Sequence, residues 1–206
     1  MRGSARGGRQ LEQRTRLSAP DRRAQLLDVA GRLFAEHGFH GLSMEQLADG
    51  AGISKPVLYQ HFPSKRDLYL ALVRDAVTEM EERVRTALDG TDDNRARVEG
   101  AIAAYFDFVE DRRFGLLFET AELTDADVRA AVESAMTRVA DAVGALIAED
   151  AGLSPQSAGF LATALRGLAT EGARWWLEHP EVDKAEAVWL LSRLAWRGLG
   201  SFPPDP

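Results

Sequence analysis

The chain has no cysteine, which excludes disulfide staples and thiolate metal sites and makes a reducing cytoplasm the expected compartment. No apolar run approaches the roughly 20 residues that a bilayer-spanning helix needs, so no membrane partner is expected. The first twenty residues lack a continuous apolar stretch and do not read as a secretory signal. Alternating strand patterns of useful length and internal repeats are also missing. Of the four histidines, His37 and His40 lie near an expected helix end. With no cysteine and no carboxylate cluster at ligand spacing beside them, neither a metal nor any other cofactor is expected.

What is present is a 206-residue chain, 45% hydrophobic, enough for one large core or for a small domain fused to a medium one. The net charge of −7 is unevenly spread. Residues 1–74 carry a net +5 and residues 75–206 a net −12. A basic head on an acidic body suits a protein that touches phosphates at one end only.

Residues 1–20 place Arg2, Arg6, Arg9, Arg14 and Arg16 among Gly, Ser and Gln. Few apolar groups there repay ordering, so they read as a flexible basic arm. From Asp21 the signals are helical almost throughout. Leu26, Leu27, Ala30, Leu33 and Phe34 recur at helical spacing, and Gly38 sits where a C-terminal cap belongs. Ser43 with Gln46 forms a capping-box pattern, Ser54 is placed to cap the next helix, and Ser64 with Asp67 repeats the pattern. A long amphipathic segment follows, and further helices are expected over 95–111, 114–123, 125–150, 155–179 and 183–198. The expected fold is all-α with about nine helices: a small N-terminal domain over 21–67 and a helical body over 68–206.

The densest signal lies between Ser43 and Phe62. A short helix, apolar at Met44, Leu47 and Ala48, is followed by a tight turn through Gly50, Ala51, Gly52 and Ile53. A second helix then keeps Val57 and Leu58 apolar. This is helix-turn-helix grammar. Ala48 lets the second helix cross close, Gly52 permits the positive φ of the turn, and Ile53 with Leu58 pins the helices together.

The run Gly38-Phe39-His40-Gly41-Leu42-Ser43-Met44, with Leu47-Ala48, Ala51-Gly52-Ile53-Ser54, Leu58-Tyr59-Gln60-His61-Phe62 and Ser64-Lys65-Arg66-Asp67-Leu68, resembles the DNA-binding domain of the TetR family. It covers about residues 22–70. Pro56 departs from the small residue that many members carry there. The resemblance implies a dimer on a double-stranded, palindromic operator, with the helix from Ser54 in the major groove. Gln60 suits a bidentate contact to adenine and Val57 a thymine methyl. Lys55, Tyr59 and His61 suit phosphates or a mixed role, and Ser43 and Lys65 sit at helix N-termini that attract phosphate. Met44, Ser54 and Pro56 complete the expected DNA-facing set. In the family, equivalents of Ser43, Tyr59, His61 and Lys65 hold the DNA backbone.

The resemblance also implies that the middle helices enclose an effector and that the last two pair with a second subunit. Tyr105, Phe106, Phe108, Phe114, Leu117 and Phe118 gather apolar surface around Arg112–Arg113, with Met136 and Trp175 as further walls of a ligand cavity. Leu161, Leu165 and Trp176 are additional candidates. Phe160, Ala164, Gly167, Gly172, Trp175, Trp189 and Trp196 supply close approach and large contacts for a homodimer. The segments Tyr105–Glu110, 116–119 and 167–177, with Pro56 itself, are similar to actinobacterial fatty-acid-synthesis regulators of the FasR type. That similarity implies a long-chain acyl-CoA as the small hydrophobic effector and a role in lipid metabolism.

Two other classes compete. Glu119 with Glu122, or Asp125 with Asp127, would be the carboxylate pairs of an enzyme. Acidic neighbours on amphipathic helices are ordinarily solvated charge, and no nucleophile–base pair or phosphate loop accompanies them, so no enzyme is expected. A helical ligand carrier or interaction module without specific DNA binding is the other alternative, distinguished by the salt dependence of DNA binding.

Overall fold

The computed structural model describes residues 18–111 and 126–198. These form eight helices and, among the described residues, no strand: α1 Ala19–His37, α2 Met44–Gly50, α3 Lys55–His61, α4 Lys65–Asp89, α5 Asn94–Glu110, α6 Ala126–Ala151, α7 Pro155–Glu178 and α8 Lys184–Arg197. The helix expected over 114–123 and most of the expected arm, residues 1–17, lie outside the described residues. No described helix is long and apolar enough to cross a membrane.

Capping chemistry sets most boundaries. Helix α1 starts two residues earlier than periodicity suggests, because the Ser18 hydroxyl accepts from the Asp21 N–H at 3.2 Å. Pro20 falls in the first turn, where its missing N–H costs nothing. Gly38 ends the helix, its N–H reaching the Phe34 carbonyl at 2.8 Å. Ser64 accepts from the Asp67 N–H and starts α4, which then runs 25 residues without a break. The expected domain boundary at 67/68 thus falls inside one continuous helix.

Helices α1 to α3 and the start of α4 enclose the first half of the core, with Leu26, Phe34, Leu47, Ala48, Leu58, Phe62 and Leu68 nearly inaccessible. Phe34 meets Tyr69 edge-on at 5.5 Å and Phe39 at 5.9 Å. Such aromatic pairs each add about 0.5–1.5 kcal/mol beyond the area they bury. The second half of the core lies where α4, α5, α6 and α7 pack side by side, with α8 against α5 and α7. Bridges fasten α6 to α4: Arg66 to Asp127 at 2.6 Å, and Arg138 to Glu81 at 2.8 Å. The exposed Arg66–Asp127 pair contributes about 0.2–1 kcal/mol and fixes register more than stability, whereas Glu81 is largely buried and also holds Arg85.

Candidate DNA-binding surface and effector cavity

Helices α2 and α3 are joined by a turn in which Gly52 adopts φ +64, the left-handed conformation that the sequence reading required of it. The Ile53 N–H reaches back to the Ala48 carbonyl at 3.0 Å and locks the turn. On α2 the reciprocal capping box is complete. The Ser43 hydroxyl accepts from the Gln46 N–H at 3.2 Å, and the Gln46 amide oxygen accepts from the Ser43 N–H at 2.9 Å. Ser43 stays exposed with its hydroxyl proton left to donate.

Helix α3 buries one residue, Leu58, and turns the rest outward. Ser54, Lys55, Pro56, Tyr59 and Gln60 are exposed, while Val57 and His61 are half-buried. Ser54 occupies the N-cap but makes no side-chain cap. Pro56 falls in the first turn of α3, where its missing N–H costs nothing. Lys55 stands 3.9 Å from Glu45, a pair half-exposed on both sides.

Two members of the expected DNA-facing set are placed differently. Met44 is buried, 8% exposed, and belongs to the core beneath α2. Its position after the N-cap turns it inward, because the helix needs an apolar residue against α1. Lys65 opens α4, but its ammonium is committed elsewhere. It donates to the carbonyls of Phe39 and Leu42, both at 2.7 Å, and lies 4.4 Å above the Phe39 ring. The side chain ties the α1–α2 turn to α4. Arg23 was given no role by the sequence, yet its guanidinium lies 4.4 Å over the Phe62 ring. That brings one more cation to the end of α3, and only the fold makes the neighbourhood visible.

In the body, a cavity of about 380 Å³ lies between α4, α5, α6 and α7, with Trp196 of α8 in its wall. Met80, Val84 and Leu88 on α4 face Ile102 and Tyr105 on α5, with Met136, Val139, Val143 and Ile147 on α6 and Leu165 on α7. Polar groups enter only towards its ends: Asn94, Arg97 and Asp150 at one, Arg166 and Thr170 at the other. Burial, and secondarily the Glu171 carboxylate, pushes the Tyr105 phenol well above its ordinary value, so it stays neutral.

The expected cavity walls fare unevenly. Met136 lines the cavity, as does Leu165. Phe106 does not: it is 0% exposed and packs at 5.3 Å against Trp176 on the other side of α5. Tyr105, one helical step away, takes the cavity face instead, a rotation of about 100° that spacing leaves undecided. Trp175 is 51% exposed and stacks at 3.8 Å on His179, while Trp176 turns inward and donates to the Val182 carbonyl at 2.9 Å. Leu161 is exposed as well. Phe114, Leu117 and Phe118 lie outside the described residues, with Arg112 and Arg113.

Helices α7 and α8 leave several large apolar groups exposed, among them Phe160, Trp175, Trp189, Leu190 and Trp196. Behind them, Lys184 joins α8 to α5 through Asp107 at 2.8 Å and Glu110 at 2.7 Å. The Asp107 hydrogen bond leads in holding that ammonium above its usual value. No group of three His, Asp or Glu side chains converges at metal distance among the described residues.

Residues 26–72 match the family described as bacterial regulatory proteins, tetR family. The HTH-type transcriptional activator FasR of Mycolicibacterium smegmatis is 41% identical over 191 residues, spanning 91% of this chain and 87% of that protein. A TetR-like transcriptional regulator from Rhodococcus sp. RHA1 shares the fold with a TM-score of 0.70 at 29% identity, over 90% of this chain and 99% of the other. FadR from Bacillus subtilis, solved in complex with stearoyl-CoA, gives a TM-score of 0.71 at 16% identity, over 85% and 98%. With a helix-turn-helix head, a helical body and a relative this similar along nearly its whole length, the chain belongs to the TetR family of bacterial transcriptional regulators.

Proposed function

We propose that the chain is a homodimeric regulator of lipid metabolism that binds a palindromic operator through α3 and releases or engages it in response to a long-chain acyl-CoA. The observation that carries the effector half is the cavity: about 380 Å³, almost wholly apolar, and walled by the same α4 whose first turn packs on the DNA-binding head. Filling it favours one arrangement of α4 over another, and the differential affinity of the effector for the two arrangements shifts operator binding by mass action. The similarity to FasR along the chain supports the lipid role.

At the DNA end, Gln60 and Val57 read base edges. Ser43, Ser54, Lys55, Tyr59 and His61 hold the phosphates, with Pro56 at the groove edge. The basic arm, residues 1–20, adds charge to the head, 21–67, and the acidic body, 68–206, faces away from the duplex in the cytoplasm. The exposed tryptophan face of α7 and α8 pairs with a second copy, which sets the two recognition helices one helical turn of DNA apart.

The test is a genomic footprint of the purified protein with and without acyl-CoAs, followed by titrations of the recovered site at several salt concentrations. The proposal expects a log–log slope of about −0.9 per phosphate neutralised and an affinity that changes when a C16–C20 acyl-CoA is added. Salt-insensitive binding sinks the DNA half. Failure of every C16–C20 chain to bind in native mass spectrometry or calorimetry sinks the effector half.

A further inference from the structure

The two ends of the cavity differ in a way that fixes how a chain lies in it. Arg97 lines one end. Its side chain is only 17% exposed, and nearly every donor it has is already used. Nε donates to the carbonyls of Leu88 at 3.1 Å and Thr91 at 2.7 Å, and Nη1 donates to the Asn94 side chain at 2.8 Å. Asp150 of α6 stands 3.6 Å away and Asp92 at 3.5 Å. A planar guanidinium held from α4, the α4–α5 turn, α5 and α6 has no rotamer left to yield with.

The opposite end is different. Arg166 lines the cavity and pairs with one carboxylate, Glu133, at 2.9 Å. Glu133 and Asp150 lie on the same helix, about 25 Å apart along its axis at 1.5 Å per residue. At the Arg97 end, Asp92 and Asp150 stand beside the guanidinium and Asp89 and Asp93 bound the α4–α5 turn, so an anionic head group meets more negative than positive charge there. The head therefore belongs at the Arg166 end, and the methyl end of the chain runs towards Arg97.

We propose that Arg97 is the floor of the effector cavity and sets the length of acyl chain that the regulator reads. The proposal rests on the acyl-chain reading given above and adds the residue that measures the chain. A methylene fills about the space of a water molecule, roughly 30 Å³, so 380 Å³ holds about a dozen carbons, with the head and the first few carbons in the opening. Below that length each added carbon removes apolar surface from water. Beyond it the methyl end meets a guanidinium that cannot move, and further carbons gain nothing.

The experiment is calorimetry or native mass spectrometry of the full chain with saturated acyl-CoAs from C8 to C20. For the unaltered protein, affinity should rise about fourfold per carbon, the fold-change given by roughly 0.8 kcal/mol per buried CH₂, and then stop rising between about C12 and C16. Arg97→Ala should move that break to longer chains by about four carbons, less whatever the emptied site collapses. Because Arg97 also holds the α4–α5 turn, Ile147→Phe provides an independent arm. It narrows the same end from α6 without touching a polar group, and it should move the break about one carbon shorter. If chains bind but neither variant moves the break, Arg97 is not the floor. If Arg97→Ala weakens all chain lengths equally while Ile147→Phe leaves the break in place, Arg97 holds the head group and the orientation is reversed. If no chain of any length binds the unaltered protein, the acyl-chain reading itself falls, and the ruler with it.

Discussion

Replacing Lys65 by methionine separates two accounts of the same residue. The stem is kept and only the charge is lost. If Lys65 holds the α1–α2 turn to α4, the change removes two charge-assisted hydrogen bonds, both 2.7 Å, and a cation 4.4 Å above the Phe39 ring. Hydrogen bonds to a charged group are worth about 1.5–3 kcal/mol each, and an accessible cation–π contact about 0.5–1 kcal/mol. One ammonium shares all three contacts and remains half in water, so the contributions do not sum. A loss of about 2–4 kcal/mol is expected. For a chain of this size that corresponds to a fall in Tm of roughly 4–16 °C, at about 2–4 °C per kcal/mol. The assay is thermal and denaturant unfolding at fixed protomer concentration, since self-association of the proposed kind would make Tm depend on concentration. Operator binding, measured below the transition, should keep its salt slope. The reasoning is refuted if the unfolding midpoint is unchanged while the log–log salt slope falls by about 0.9, which is the signature of a lost phosphate contact.

The other outcomes are as follows. Gln60→Ala should cost about 1–3 kcal/mol at one base position and relax specificity there, read from titrations against an operator set varied one base pair at a time; a uniform loss across all sequences would assign Gln60 to the backbone. A methyl on Gly41 would lie 2.2 Å from the His37 carbonyl oxygen, so Gly41→Ala should destabilise by about 1–3 kcal/mol, and an unchanged denaturation curve would contradict the close approach. Phe160, 73% exposed, should be silent in the fold of one subunit but essential to pairing, so Phe160→Asp should leave the helical circular-dichroism signal intact and shift the sedimentation coefficient to that of a monomer. A dimer that survives the change places the subunit interface elsewhere.

Local chemistry made the head legible in the sequence. Ser43 with Gln46, Gly38 and Gly52 each announce a boundary by a hydrogen bond or a φ that few other residues supply, and the structure uses each in that way. The roles of Met44 and Lys65 were not legible, because burial and long-range bonds depend on where α1 ends and α4 begins, 20 or more residues apart in sequence. In the body, helical periodicity located the apolar segments but not their phase. Tyr105 and Phe106, or Trp175 and Trp176, are equally apolar neighbours about 100° apart on a helix. Which of the first pair faces the cavity, and which of the second turns inward, follows from how the neighbouring helices pack, not from composition. Arg97 was invisible for the same reason: five acceptors from four segments meet at it only after folding.

The chain has four tryptophans, and all of them sit on α7 and α8: Trp196 in the cavity wall, Trp176 against Phe106, and Trp175 and Trp189 on the outer face. None lies in the helix-turn-helix. Excited at the red edge, the protein is therefore optically silent at the helix-turn-helix end and bright at the end that holds the cavity. A ligand entering the cavity changes the surroundings of one indole directly. A duplex bound at α3 changes none by contact, so any shift in emission on adding operator measures only what the helices transmit. The intrinsic fluorescence of the unlabelled chain is in this sense a built-in gauge of communication between its two ends.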